Sequence, residues 1–217
     1  MSILATFESR LSPNLLSTFQ GLTTPFLIQQ YLDAMPYKAE VRDRSPLNVM
    51  RDHQSHCLDG GLFAALALWR IRFPPLLLDL VPDPAMDDDH VLALYQLEGR
   101  WGALAKSNYI NLGFREAVHK NLRELVMTYF EHYCSVHQTK TLRGYTRPLD
   151  VSKFQPTDWA WNEASANQLY KHFYQRKTIS LINPRMAAHL NPITDRMYAA
   201  ETLHTDLSWS FGIREDH

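Results

Sequence analysis

Apolar and polar positions alternate in a way that divides the first half of the chain into short, well-marked helices. Thr24-Pro25 and Ser45-Pro46 each place a capping side chain before a proline, which is typical of a helix start. A longer apolar segment begins at Cys57 and reads as a helix, which Pro74 and Pro75 cannot continue. The pattern therefore predicts three helices, over residues 26–35, 47–51 and 57 to about 72.

Strand signals follow directly after this third helix. Residues 76–81 form a short apolar run after a helix breaker, which is consistent with a buried strand. Residues 91–97 and 100–105 alternate on either side of Glu98-Gly99, which predicts a hairpin. If Glu98-Gly99 is a two-residue loop, Leu97 pairs with Arg100 and His90 lies opposite Ser107, with Lys106 and Asn108 beside it. A bulge would shift this pairing by one residue, so the pattern does not choose among the three.

The second half of the chain reads as mostly helical. Residues 116–134 have apolar side chains at helical spacing and predict an amphipathic helix, and residues 162–176 predict another. Asn183-Pro184 and Asn191-Pro192 interrupt the remaining C-terminal segment. We expect a single domain over residues 1–217, with a core over about 25–110 and a mostly helical extension over about 111–217.

Composition excludes several classes of protein. The 217 residues carry 22 basic and 23 acidic side chains, with a net charge of -1 and no dense run of one sign. We therefore expect neither a nucleic-acid partner nor an anionic membrane surface, and the apolar runs are too short to span a bilayer. The N-terminus lacks the pattern of a signal peptide, and two cysteines make no disulfide framework, so the expected location is the cytoplasm. Composition does not indicate the oligomeric state.

The candidate chemistry centres on Cys57 and His90. A thiol in the first turn of a helix experiences the positive end of the helix dipole, which favours the thiolate. His90 heads the hairpin about thirty residues later, and a thiol nucleophile commonly works with a histidine base. The alternative is that Cys57 is a small buried apolar residue, as free cysteines often are. Gly60 and Gly61 either allow close approach of another backbone to this helix or only loosen a surface turn.

The order of these pieces resembles the transglutaminase-like superfamily, which is related to papain-type cysteine proteases. The matching segments are 57–70, 76–81, 90–97 and Gly99-Arg100-Trp101. The resemblance covers about half of the chain. It implies an α+β fold in which a cysteine-bearing helix packs on an antiparallel sheet. It also implies acyl transfer through a thioester on a peptide or amide substrate, with water or an amine as the acceptor.

Carried over residue by residue, the resemblance makes Cys57 the nucleophile and His90 the base. The aspartate that usually follows has no counterpart in residues 102–108, where Asn108 or Ser107 is left to orient the imidazole. Neither would stabilise an imidazolium as an aspartate does. Without a carboxylate, a non-catalytic member of the fold that binds peptides or proteins is the competing hypothesis.

Other side chains near Cys57 and His90 are weaker candidates for a role in the site. Gln54 is a candidate oxyanion donor beside the Cys57 backbone N–H. The acidic run 87–89 is read as a solvated loop, with a role as partner of His90 as the alternative. His53, His56 and Cys57 are spaced as possible metal ligands, but no second tight ligand pair exists, so we expect no metal and no cofactor.

Overall fold

The computed structural model describes residues 2–213 and shows an α+β fold, as predicted. Most of the helices begin at a side chain that accepts a backbone N–H, such as Thr24 at the helix that starts with Pro25. The helices are α1 Ile3–Glu8, α2 Pro13–Gly21, α3 Pro25–Asp33, α4 Pro46–Asp52, α5 Cys57–Arg70, α6 Leu122–Phe130, α7 Glu163–Phe173, α8 Pro184–Ala188 and α9 Asp195–Glu201. Within residues 2–213, none combines the length and apolar character needed to cross a bilayer.

Strands of the described residues form one antiparallel sheet. They are β1 Leu76–Pro82, β2 His90–Leu97, β3 Arg100–Leu104, β4 Arg115–His119, β5 Leu142–Thr146, β6 Leu149–Asp150 and β7 Thr178–Ser180. Their order across the sheet is β4-β3-β2-β1-β5-β7, and β6 also pairs with β1. The cysteine-bearing helix α5 packs on this sheet, mainly against β2.

The hairpin forms in the predicted register. Leu97 pairs with Arg100, and Glu98 and Gly99 both adopt positive φ angles, as a two-residue turn of this kind requires. Pairing continues to Ala93 and Leu104, where β3 ends. Ser107 and Asn108 therefore lie beyond the strand, and ladder hydrogen bonds do not hold them opposite His90.

The two faces of the sheet carry separate apolar layers. Leu77 and Val91 belong to the layer shared with helices α3, α4 and α5, whereas Leu78 and Leu92 belong to the layer shared with α6. Since side chains alternate along a strand, Asp79 lies on the α5 face and His90 lies on the α6 face. This alternation decides which side chains reach Cys57.

The glycine pair of α5 allows a close approach. A Cβ at Gly60 would lie 2.6 Å from the Lys106 Cβ, and one at Gly61 would lie 2.8 Å from the Val91 Cγ1. The glycines therefore let α5 lie directly on the sheet, and they do not simply loosen a turn. Lys106 is held in place because its Nζ donates to the Leu32 and Met35 carbonyls at the end of α3.

The segment 116–134 is not one helix. Its first part continues strand β4, whose Arg115 and His119 pair with β3, and α6 begins only after the Asn121 side chain accepts the Glu124 N–H. The apolar spacing was compatible with a helix throughout, but pairing with β3 and the Asn121 cap place the helix start later.

The C-terminal half is also part of the sheet. Residues 111–217 include α6 to α9, but they also include β4, β5, β6 and β7, and two of these strands pair directly with β1. The mostly helical extension predicted from sequence is thus incorporated into the same sheet as residues 25–110. The short strand β6 and three-residue β7 gave no alternating pattern long enough to detect.

Candidate active site around Cys57

Cys57 is the first residue of α5 and opens onto a cleft. The residue before it, His56, caps the helix: its Nδ1 accepts the Leu58 N–H at 3.2 Å. The Asp59 carboxylate in turn accepts the His56 backbone N–H at 2.8 Å, which completes a capping box. The sequence Ser-His-Cys-Leu-Asp therefore places the thiol at a well-ordered helix start, half-buried.

The cleft is large enough for a small ligand or part of a peptide. Its volume is about 310 Å³, within the range of about 300–1,000 Å³ typical of ligand pockets. Cys57 and His56 lie at the helix end of the cleft, with residues of three other segments around them. The remaining lining residues are Tyr37, Ala39, Glu40, Val41, Asp43, Leu58, Asp88, Asp89 and Tyr174.

His56 has defined contacts in each protonation state. The Leu58 N–H donates to Nδ1, which requires the lone pair of the neutral ring. Nε2 lies 3.2 Å from the Asp43 carboxylate, and Nδ1 lies 3.7 Å from that of Asp59, so both carboxylates favour the charged ring. Burial opposes charging, but Asp59 and Asp43 hold the pKa of His56 well above its ordinary value. The charged ring is therefore favoured near neutral pH, and only its neutral form can accept a proton.

The thiol is neutral in the resting site. Burial is the main effect that raises the pKa of Cys57, and the charges of Asp89 and Asp88 raise it further. A hydrogen bond with His56 and the charge of that ring lower it. The Sγ contacts the Asp89 backbone carbonyl at 3.8 Å. The helix start alone therefore does not yield the thiolate that its position led us to expect.

His90 makes its contacts on the other face of the sheet. Its Nε2 lies 2.8 Å from the Leu112 carbonyl oxygen, and its ring packs edge-on against Tyr133. Burial lowers the pKa of His90 to about 4, which the Leu112 bond only partly offsets. Among the described hydrogen bonds, none joins Cys57 to His90: each side chain contacts a backbone carbonyl instead.

The proposed helpers of His90 are also engaged elsewhere. The Ser107 Oγ accepts the Tyr109 N–H, and the Asn108 Nδ2 donates to the Asp206 carbonyl. Both residues line a small cavity with His90, of about 40 Å³, which has room for little more than water. Gln54 donates to Glu40 at 3.4 Å, at the rim of the Cys57 cleft.

The acidic run is more ordered than the solvated loop that we expected. Asp87 accepts a hydrogen bond from Thr141 at 2.6 Å, and Asp89 accepts one from Tyr174 at 2.9 Å. All three aspartates are half-buried, and burial raises the pKa of Asp87 to about 6. The prediction of a solvated loop is wrong here because Thr141 and Tyr174, both distant in sequence, cover the run.

Several residues of the site were missed from sequence. His56 was considered only as a metal ligand, although its position directly before Cys57 and three residues before Asp59 marks it as a cap. Asp43 and Tyr174 gave no local signal because they reach the cleft only through the fold. No group of three or more His, Cys, Asp or Glu side chains within residues 2–213 is arranged to hold a metal ion.

Comparison with known proteins finds a distant likeness in fold. No protein family model and no curated protein matches the chain. Two structures of Legionella pneumophila LapG, one of them EGTA-treated, are similar at 11% and 12% identity, each with a TM-score of 0.38. The matches cover 52% and 54% of this chain and 76% and 75% of LapG. Similarity at this level concerns the fold alone and carries no argument about activity.

Proposed function

We propose that this chain is a transglutaminase-like cysteine acyl-transfer protein that acts on an amide or peptide through a thioester at Cys57. The observation that carries the proposal is a half-buried thiol at a helix start, open to a ligand-sized cleft and next to a histidine held by Asp43. A nucleophile, a proton acceptor and an orienting carboxylate are the parts that such chemistry needs. The order of elements in the sequence supports the same assignment.

The proton transfers can be assigned to His56. The step requires the neutral ring, which the raised pKa of His56 makes the minor form near neutral pH. Nδ1 then gives up the Leu58 N–H and takes the Cys57 proton while the thiolate forms a bond to the substrate carbonyl carbon. The C–N bond then breaks, and the imidazolium returns the proton to the leaving amine, which leaves a thioester. Water or an amine next attacks the thioester and releases the acyl group, which restores the thiol. Asp43, 3.2 Å from Nε2, stabilises the imidazolium in between.

His56 is the better candidate for the base than His90. His56 lies close enough to the thiol to lower its pKa and lines the same cleft, whereas His90 would have to give up its bond with Leu112 and turn towards the other face of the sheet. The pairing of Cys57 with His90, with Asn108 or Ser107 behind it, stays a prediction that substitution of each histidine can test.

A binding protein without catalysis is the second candidate. It is favoured by the raised pKa of the Cys57 thiol, which leaves little thiolate at neutral pH. In this case the cleft would hold a peptide or a segment of a partner protein, and Cys57 would serve only as part of its wall.

Turnover of acyl p-nitroanilides, with water alone and with added hydroxylamine, separates the two candidates. An acyl-transfer protein releases nitroaniline, forms hydroxamate when hydroxylamine is present, and loses both activities in Cys57→Ser. Cys134→Ser is the matched control, since Cys134 is the second of the two cysteines and does not line this cleft. Absence of turnover over a broad acyl series, with peptides still bound, would establish the binding protein instead.

A further inference from the structure

The lining of the Cys57 cleft is strongly acidic. Four carboxylates contribute to it, from Glu40, Asp43, Asp88 and Asp89, and no lysine or arginine within residues 2–213 lines it. The whole chain is nearly neutral, so this is a local concentration of negative charge. A cleft with one sign of charge attracts ligands of the opposite sign.

Part of this charge is already balanced within the protein. Glu40 forms a salt bridge of 2.6 Å with the buried Arg44, and Asp43 faces His56. Asp89 is different, because its carboxylate accepts a hydrogen bond from the neutral Tyr174 hydroxyl, and the charge of His56 has only a minor effect on it. A positive charge added to the cleft would therefore be stabilised most at the end near Asp89.

A second carboxyl group lies close to Asp89, outside the lining of the cleft. Asp79 is only 5% exposed, and its Oδ1 has no hydrogen-bond partner among the described residues. It lies on the α5 face of the sheet opposite Val91, so Asp89, two residues before Val91, is its diagonal neighbour on that face. The two carboxyl groups are close enough to interact. Asp79 affects this end of the cleft only through Asp89, and a cation beside Asp89 would offset the repulsion between the two carboxyl groups.

Two aromatic rings complete this part of the cleft. Tyr37 and Tyr174 both line it, and each ring has a face of negative potential that attracts a cation. An arginine guanidinium offers five N–H donors in a plane, which suits carboxylates together with aromatic faces. Neither an anionic nor a purely apolar group would use these features.

We propose that the cleft binds a basic side chain of a peptide, arginine or lysine, against Asp89 and the two tyrosines. Recognition of the basic side chain is inferred from the residues of the cleft alone. Placement of the neighbouring peptide carbonyl at Cys57 rests on the proposed function. The substrate class is then a peptide or amide with a basic residue next to the bond that reacts.

Binding is measured on the full chain with Cys57→Ser, which cannot form a thioester. The probes are short fluorescent peptides that are blocked at both ends and differ at one position, with arginine, citrulline or glutamate there. Citrulline has nearly the shape of arginine without its charge. We expect the arginine peptide to bind at least about tenfold more tightly than the citrulline peptide, and to lose affinity as salt rises from 20 to 300 mM because exposed charges are screened.

Asp89→Asn tests the site directly. We expect it to reduce the preference for arginine over citrulline by about tenfold or more, since it removes a charge without removing the side chain. Glu98→Gln is the matched control, because Glu98 is exposed at the turn after β2, at the opposite end of that strand from Asp89. Circular dichroism spectra of both variants confirm that they fold.

The possible outcomes separate this inference from the proposed function. Equal affinity for arginine and citrulline peptides, or an unchanged preference in Asp89→Asn, overturns the basic-residue site. If either result is found but the native chain still turns over neutral acyl anilides, the proposed function stays supported. Selective binding of arginine without any turnover would support the site and contradict the acyl-transfer chemistry.

Discussion

At the scale of single residues, Cys57 shows how the surroundings of a thiol can outweigh its position. The start of α5 favours a thiolate, but burial and the carboxylates of Asp88 and Asp89 raise the pKa of the thiol. His56 acts in the opposite direction and lowers the pKa of the thiol, but its own raised pKa favours the charged ring. The proton transfer in our proposal is therefore a step that substrate binding must allow, not a resting ion pair.

Burial and charge also change the pKa of Asp79, which leads to a prediction about the stability of the protein. Burial is the main cause that raises the pKa of this carboxyl to about 8, and the charge of Asp89 adds to it. A folded-state pKa above the unfolded value means that stability is fully present at low pH and is lost as pH rises, here from about 4 to about 8. The free energy of unfolding of the native chain should fall over this window.

Asp79→Asn should remove part of this loss. Asparagine keeps the shape but carries no charge, so its advantage over the native chain should grow as pH rises from 4 to 8. Chemical denaturation at pH 4, 6 and 8 measures this difference, and the exposed Glu98→Gln serves as control. An advantage that does not depend on pH would show that Asp79 does not titrate as we infer.

At the scale of elements, the contact between α5 and the sheet depends on two glycines. A methyl group at Gly61 would meet the Val91 side chain at 2.8 Å, whereas one at Gly21, at the end of α2, would meet none of the described residues within 4 Å. Overpacking typically costs about 1–3 kcal/mol, while alanine in place of glycine gains up to about 1 kcal/mol in a helix.

Gly61→Ala should therefore be less stable than Gly21→Ala, by about 1–3 kcal/mol in the free energy of unfolding. Urea denaturation of both variants and the native chain measures the difference. Equal stability of the two variants would mean that α5 does not lie as close to β2 as the structure shows.

Elements with strong local signals were predicted correctly. The cap at Thr24, the prolines after α5 and the Glu98-Gly99 turn each define a boundary through nearby residues alone. Residues 116–134 were predicted as one helix because apolar spacing does not reveal pairing with β3. The site shows the same division: Cys57 follows from its helix start, but Asp43 and Tyr174 reach it only through the fold.

At the scale of the whole molecule, both halves of the chain contribute strands to one sheet within residues 2–213. Strand β1 of the first half has β2 on one side, and β5 and β6 of the second half on the other. The resemblance that covers residues 25–110 therefore describes a region whose central strand needs a later segment as its neighbour. This arrangement was not visible in the sequence because these pairings join positions 60 to 74 residues apart.

A fragment of residues 1–110 tests this dependence. Without β5 and β6, one edge of β1 would be unpaired, and the apolar side chains that face α6 would be exposed. We expect the fragment to lack a cooperative unfolding transition, whereas the full chain shows one. Cooperative unfolding of the fragment would instead establish residues 25–110 as an independent domain.

The most direct test of the central claim, that Cys57 forms a thioester with the help of His56, is the nitrophenolate burst released by a p-nitrophenyl ester. We predict one equivalent per chain in the native protein and in His90→Gln, and none in Cys57→Ser. The acylation rate should fall about 10²–10⁴-fold in His56→Asn, which keeps an N-capping side chain but removes the base. A burst that survives in Cys57→Ser would contradict the thioester, and one lost in His90→Gln but kept in His56→Asn would assign the base to His90.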